Sequence, residues 1–335
     1  MGETNLSQFG ITFKGSGSYI PKQILTNEDL SRIVDTSDKW IKTRTGISKR
    51  RISSIHESVC QMGYEAALRA MEMANWSPDT IDLILLATST PNDLFGSAPR
   101  IQSKLGAKNA TAFDLTAACS GFLFSLITGA QYLQNGSFKR ALIIGADQLS
   151  SYVNWLDRGS CILFGDGAGA LAIEASKDVN NFYGFQMRTD GERGGFLNLS
   201  VCGSEEEIID DIKVNKGKFS NITMNGQEVY KFAVREVPIV IDNLLKQLNY
   251  NSSEVDWLLL HQANQRILDA VGERLNIPKE KVLSNLNNYG NTSAGTIPLM
   301  LDESIRNKKV KQNDLIATSG FGAGLSWGAA LFRWG

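Results

Sequence analysis

Apolar positions along this chain follow two periods. Between residues 57 and 74, Val59, Met62, Gly63, Ala66, Ala70 and Met73 fall on one face of a 3.6-residue repeat, which predicts a helix. Residues 228–248 do the same with Val229, Ala233, Val237, Ile241, Leu244 and Leu248, and Pro238 inside that stretch predicts a kink or a split. The runs LILLA, ALIIGA and WLLLH are short and continuously apolar, as strands buried on both faces are. Strands and helices in alternation predict a layered α/β fold.

The order of these elements occurs twice. A helix, IDLILLATST, a second helix, AFDLTAACSGF, RALIIGADQ and FGDGAGALAIE follow one another in the first half. The second half runs through a helix, VDWLLLHQAN, another helix, NLNNYGNTSAGTIP, DLIATSG and FGAGLSWGAALF. Asp82 and Asp256 each open the apolar strand of their half, and shifting by their separation carries Cys119 to within two residues of Asn291. A repeat of this kind predicts two similar halves, 1–178 and 179–335, about a pseudo-twofold axis. No Gly/Ser- or Pro-rich linker marks the join near Asp178, so the halves are expected to share one interface.

Composition narrows the function. Lys plus Arg is 34 and Asp plus Glu 35, a balance that speaks against a nucleic-acid or membrane-surface binder. No apolar run approaches the roughly 18–20 residues of a membrane span. The first residues, MGETNLSQFG, lack the basic and apolar regions of a signal peptide, and Leu6 breaks a myristoylation pattern. Cys60, Cys119, Cys161 and Cys202 are too scattered for a disulfide scaffold or a zinc site, so a reducing, cytoplasmic compartment and no metal are expected. The 31 glycines predict tight turns and close backbone approach.

Three residues carry candidate chemistry. In AFDLTAACSGFLFSLITGAQYLQNG, the part up to Ala118 reads as a strand, and the part from Ser120 as a helix apolar all round, hence buried. Cys119 then lies at the helix N-terminus, where partial positive charge lowers a thiol's pKa and free N–H groups can hold an oxyanion. It can equally be a small buried core residue. Of the two histidines, His56 lies in the charged stretch KRRISSIHES and reads as solvated, whereas His261 leaves the carboxyl end of an apolar strand, where α/β folds place sites. A satisfied core histidine fits that position too. Asn291, after Gly290, reads alone as an N-cap or turn residue. The repeat brings Cys119, His261 and Asn291 to corresponding strand ends, so that they converge. The glycine runs GDGAGALAIE and GFGAG lack a dinucleotide fingerprint and serve close packing or, for GFGAG, a backbone N–H to a reacting oxygen.

From GSGSYIP to SWGAALFRW the chain resembles β-ketoacyl-acyl carrier protein synthase III, an initiating condensing enzyme of the thiolase superfamily. VDTSDKWIKTRTGI, AACSGF, DRGSCILFGDGAGA, LLLHQANQRI and NYGNTSAGTIP carry the resemblance. It implies a duplicated five-layered α/β/α/β/α fold and a homodimer. It assigns Cys119 as nucleophile, His261 and Asn291 as the decarboxylation pair, and the N–H groups of Cys119 and Ala323 as the oxyanion hole. Ala323 stands where glycine is usual. Phe321 would shield the chemistry. Trp40, Arg44 and Thr36 would meet coenzyme A, and Phe95 would cross the dimer interface to close the partner's acyl pocket. Arg266, Lys231, Arg274 and Gln262 would receive the acidic carrier protein. An arginine that stacks on adenine aligns with Ser151, and one basic docking position with Glu273, both departures from the pattern.

The implied reaction joins acetyl-coenzyme A to malonyl-acyl carrier protein, with carbon dioxide and coenzyme A released and no cofactor. Other readings fit the same residues. A papain-like hydrolase also uses Cys, His and Asn, although its motifs are absent. A plant-type polyketide synthase, a hydroxymethylglutaryl synthase and a binding module with an inert cysteine complete the set.

Overall fold

The structure, a computed structural model, describes residues 8–335. Its first sheet has the strand order Gly10–Tyr19, Asp166–Ser176, Arg140–Gln148, Leu83–Ala87, Thr111–Leu115. The first two pairings in that order are antiparallel and the last two parallel. A second sheet runs Phe182–Thr189, Ser326–Arg333, Leu315–Gly322, Trp257–Leu260, again antiparallel, antiparallel, parallel. Where a fifth strand would lie, a single parallel bridge joins Leu258 to Val282. The repeated order of sequence elements is thus a repeated sheet topology.

Alternation along the strands sets the layers. Leu83, Leu85 and Ala87 face a central layer formed by the helices Gly121–Gln134 and Thr296–Arg306, which also takes Leu259, Ile316 and Phe332 from the second sheet. Ile84 and Leu86 face outward onto the helices Val59–Ala74 and Ala98–Leu105. Leu258 and Leu260 pack on the helices Gly226–Gln247 and Gln265–Arg274. The result is the five-layered α/β/α/β/α arrangement. Leu83–Ala87 is buried at every residue, which explains why its run is continuously apolar.

Two local expectations change, and one element is new. The helix Gly226–Gln247 continues through Pro238 without a split, since Phe232, Ala233, Val237, Val240, Ile241 and Leu244 bury one long stripe against the sheet. Packing of that stripe outweighs the one backbone hydrogen bond that proline removes. The strand expected up to Ala118 ends at Leu115, and the central helix begins at Gly121. A hairpin of Val201–Ile209 and Ile212–Phe219 stands almost wholly exposed and, among the described residues, has no counterpart in the first half. Among the described residues no helix is long and apolar enough to cross a membrane.

Candidate active site

Between the strand Thr111–Leu115 and the central helix the chain makes one tight turn, Ala118–Ser120. Ala118 takes a left-handed φ of 46°, a costly conformation for a residue with a side chain. The turn sets Cys119, 5% exposed, at the floor of a cavity between the halves. From the second half, Gly322 presses against it: a Cβ at Gly322 would lie 2.8 Å from the Cys119 Cβ. Only glycine permits that approach.

Burial dominates the thiol. Desolvation, with the nearby Asp147 carboxylate adding to it, pushes the Cys119 pKa up to about 12, against the lowering expected from the helix end. The favourable contributions, a hydrogen bond with Ser293 and the cysteine's own backbone, are outweighed. The resting residue is therefore a thiol at neutral pH, 3.4 Å from Ser293 Oγ. Asp147 is itself fully buried. It accepts from Ser89 N at 2.7 Å, Thr90 Oγ1 at 3.0 Å, Thr88 Oγ1 at 3.1 Å and Ala294 N at 3.2 Å. Desolvation nevertheless raises its pKa.

His261 follows directly on the strand Trp257–Leu260, and its N–H bonds to the Ser319 carbonyl of the neighbouring strand at 2.9 Å. Its ring lies edge-on to Phe321, with centroids 5.0 Å apart. At 1% exposure the imidazolium is poorly solvated, and the pKa falls to about 3. His261 is therefore neutral at pH 7. Its Nδ1 meets Thr296 Oγ1 at 2.7 Å.

Asn291 does not sit on a sheet strand. It is held by a lone bridge to Phe164, with Gly165 N donating to its carbonyl at 3.0 Å and its own N–H reaching Leu163 O at 2.9 Å. Ser293 N donates to Asn291 Oδ1 at 2.8 Å. That bond takes one of the two lone pairs of Oδ1 and fixes the amide's orientation, which leaves Nδ2, a pure donor, for the cavity. Cys119, His261, Asn291 and Phe321 line one cavity of about 90 Å³, whose outer wall includes Tyr230 and Ile267. A larger one, about 670 Å³, opens on the other side of Cys119 and is lined by Thr88, Leu149, Phe95 and Ala323 among others. Cys119 is thus reached from two directions.

The outlying residues divide. Trp40 lies between two arginines: the Arg158 guanidinium is 4.9 Å from its ring centre and that of Arg44 5.9 Å. Arg158, from DRGSCILFGDGAGA, is the nearer of the two cations, and Ser151 is an exposed residue of a separate turn. Thr36 is half-buried and its Oγ1 has no partner. Phe95 is 100% exposed, so it anchors nothing in its own chain. Arg266 is exposed beside Tyr230, Lys231 pairs with Glu228 at 2.7 Å, and Arg274 is exposed. Gln262 is not a docking residue: at 1% exposure its amide donates to the carbonyls of Leu260 and Leu283.

Ser293, Asp147, Thr296 and Arg158 escaped the sequence reading. Ser293 was within reach, because the separation of Asp82 and Asp256 carries Cys119 onto Ser293 itself. Among the described residues no group of three or more His, Cys, Asp or Glu could hold a metal ion.

Two copies of one sheet order meeting at a buried cysteine define a thiolase-like condensing enzyme. Sequence models described as 3-oxoacyl-[acyl-carrier-protein (ACP)] synthase III and its C terminal match residues 113–191 and 245–334. A β-ketoacyl-[acyl-carrier-protein] synthase III of Prochlorococcus marinus is 71% identical over 335 residues, 100% of each chain. The crystal structure of 3-oxoacyl-[acyl-carrier-protein] synthase III from Aquifex aeolicus superposes with a TM-score of 0.90 at 43% identity, covering 97% of this chain and 100% of that one. Its counterpart from Pseudomonas aeruginosa gives 0.87 at 32% identity, over 97% and 98%. The chain belongs to the 3-oxoacyl-[acyl-carrier-protein] synthase III family. It is an acyl-transferring enzyme.

Proposed function

We propose that Cys119, His261 and Asn291 perform the initiating condensation of fatty acid synthesis by a two-stage exchange. In the first stage the Cys119 sulfur attacks the acetyl-coenzyme A carbonyl. The carbon–sulfur bond to coenzyme A breaks, and the thiol proton ends on the departing coenzyme A. Backbone N–H groups of Cys119 and Ala323 hold the oxyanion. In the second stage malonyl-acyl carrier protein loses carbon dioxide, and the electron pair stays as an enolate. Asn291 Nδ2 and the cavity-facing nitrogen of His261 donate to its oxygen. The enolate carbon attacks acetyl-Cys119, acetoacetyl-acyl carrier protein forms, and one proton returns the cysteine to a thiol. These steps use coenzyme A thioesters as substrates and call on no further cofactor.

The observation that carries this reading is the cavity shared by Cys119, His261 and Asn291, with Asn291 Oδ1 turned to Ser293 N–H. A neutral imidazole and an amide can stabilise an enolate oxygen without first losing a proton of their own. A papain-like hydrolase would pair the histidine with the thiol, whereas here His261 Nδ1 meets Thr296 Oγ1 and the thiol meets Ser293 Oγ.

The surroundings support the same substrates. Trp40 with Arg44 and Arg158, beside the unpartnered Thr36 Oγ1, would receive the adenine end of coenzyme A. Arg266, Lys231 and Arg274 would meet an acidic carrier. A homodimer of chains built from halves 1–178 and 179–335 would cover Phe95 and the edge strand Thr111–Leu115, with Phe95 closing the partner's larger cavity. Intact-mass analysis after acetyl-coenzyme A is expected to show one acetyl group per chain, on Cys119. An adduct on Cys60, Cys161 or Cys202 contradicts the assignment. The same adduct, followed across a primer series in a heterodimer of Phe95→Ala and Cys119→Ser chains, keeps wild-type selectivity if the ring crosses over.

A further inference from the structure

The decarboxylation stage needs the imidazole proton on the nitrogen that faces the cavity, and a neutral imidazole has only one such proton. Nδ1 points away from the cavity, at Thr296 Oγ1, 2.7 Å off. The donor to substrate must therefore be Nε2. Thr296 is the first residue of the buried helix Thr296–Arg306 and is 2% exposed, so no bulk water competes for its hydroxyl.

The Thr296 hydroxyl proton has two acceptors within reach. One is His261 Nδ1, and the other is the Ser293 carbonyl, 2.9 Å from Oγ1. That carbonyl is also a hydrogen-bond partner of the His261 ring and would take the Nδ1 proton in the absence of the hydroxyl. If the hydroxyl donates to Ser293, Oγ1 is left to accept, Nδ1 must carry the ring proton, and Nε2 shows the substrate a bare lone pair. A lone pair repels an enolate oxygen. If the hydroxyl donates to Nδ1, the ring proton sits on Nε2 and can be donated. The second arrangement costs little at Ser293, because its carbonyl also accepts the backbone N–H of Thr296. A carbonyl left with one partner is satisfied. Negative charge growing on the substrate oxygen then favours the arrangement with a donor at Nε2.

We propose that Thr296 is a positioning residue for decarboxylation: its hydroxyl donates to His261 Nδ1 in the substrate complex and so keeps the ring proton on Nε2. This rests on the reading of His261 as a donor to the thioester oxygen. Thr296 touches no reacting atom itself; it lies behind the imidazole and acts through it.

Ring-nitrogen NMR on histidine-labelled protein reads the tautomer directly, since the chain has 2 histidines and the other, His56, is exposed. The probe is a malonyl thioester analogue that cannot lose carbon dioxide. Wild type and Thr296→Ser are expected to show the Nε2–H form when it is bound. Thr296→Val is expected to shift toward Nδ1–H and to lose malonyl decarboxylation on the order of 10²–10³-fold, the loss of one oxyanion donor. Acyl loading of Cys119 should hold in all three. An Nδ1–H form in the wild-type complex overturns the proposal, and this result needs no variant to fold. So does a Thr296→Val protein with wild-type spectrum and rate, or a Thr296→Ser protein that fails to retain both. Failure of the wider reading looks different: the wild type would form no acetyl-Cys119, whatever the ring nitrogens show.

Discussion

The turns that enter the two central helices are built alike and used differently. In the first half Ala118, at φ 46°, opens the turn Ala118–Ser120 ahead of Gly121–Gln134. In the second half Ser293, at φ 51°, opens Ser293–Gly295 ahead of Thr296–Arg306. Each left-handed residue aims the turn at the seam between the sheets. The first turn offers a side chain that forms bonds, Cys119. The second has Ala294 at that place and offers its backbone: Ser293 N–H holds Asn291 Oδ1, and the Ser293 carbonyl meets Thr296. One strained device thus presents a nucleophile in one half and fixes donors in the other. Duplication supplied the geometry, and single side chains decided the role.

The seam itself is the most sensitive place to break this pairing. Gly322→Ala puts a methyl group 2.8 Å from the Cys119 Cβ and 2.9 Å from its backbone nitrogen, so the nucleophile's turn must move. A displacement near 1 Å costs about 10²-fold. Acyl loading in Gly322→Ala, measured by intact mass over time, is expected to fall by roughly that factor, with the fold kept.

Acidity sharpens the contrast between the turns. His261 takes up a proton near pH 3 in the folded protein and near 6.5 in the unfolded chain. It therefore stays neutral from pH 8 down to 5, and malonyl decarboxylation should show no inflection from it near 6.5. The same shift has a stability sign. Between pH 6.5 and 3 the unfolded chain binds the extra proton, so this contribution to stability is present above 6.5 and is lost as pH falls through that window. The stability difference between wild type and His261→Gln, from denaturant midpoints at pH 7 and pH 4.5, should shift against wild type at the lower pH, and a difference that moved the other way would run against the neutral histidine.

Smaller effects belong to the rim. Arg266 stands on the exposed side of Gln265–Arg274, whose other face buries Ile267, Leu268 and Val271. Arg266→Ala should raise KM for malonyl-acyl carrier protein severalfold and weaken its salt dependence, with kcat little changed. Equal loss with malonyl-coenzyme A would place the residue inside the site.

What could be read from sequence follows from what carries a signal. The layers were legible because strands buried on both faces must be apolar throughout, as Leu83–Ala87 is. The repeat was legible because both halves bury the same faces. Cys119 and His261 stood out as rare residue types at element ends. Ser293 and Thr296 did not, since their work is done by a backbone N–H, a carbonyl and a hydroxyl that many serines and threonines have. The thiol's pKa was misjudged for a related reason. A helix end is visible in sequence, whereas Asp147 and near-complete burial are brought to Cys119 by the fold. Gln262 shows the reverse error: a polar residue in a motif looks available until the carbonyls of Leu260 and Leu283 claim its amide.

The division of labour between the cysteine of the first turn and the donors held beside the second is the central claim, and one paired measurement on His261→Ala and Asn291→Ala tests it. Each variant is given acetyl-coenzyme A and carbon-labelled malonyl-acyl carrier protein, and acetyl-Cys119 and released carbon dioxide are counted in the same sample. The account predicts carbon dioxide release down on the order of 10²–10³-fold in each variant while acetyl-Cys119 still forms. Carbon dioxide released at the wild-type rate, or loading lost as completely as release, would contradict it.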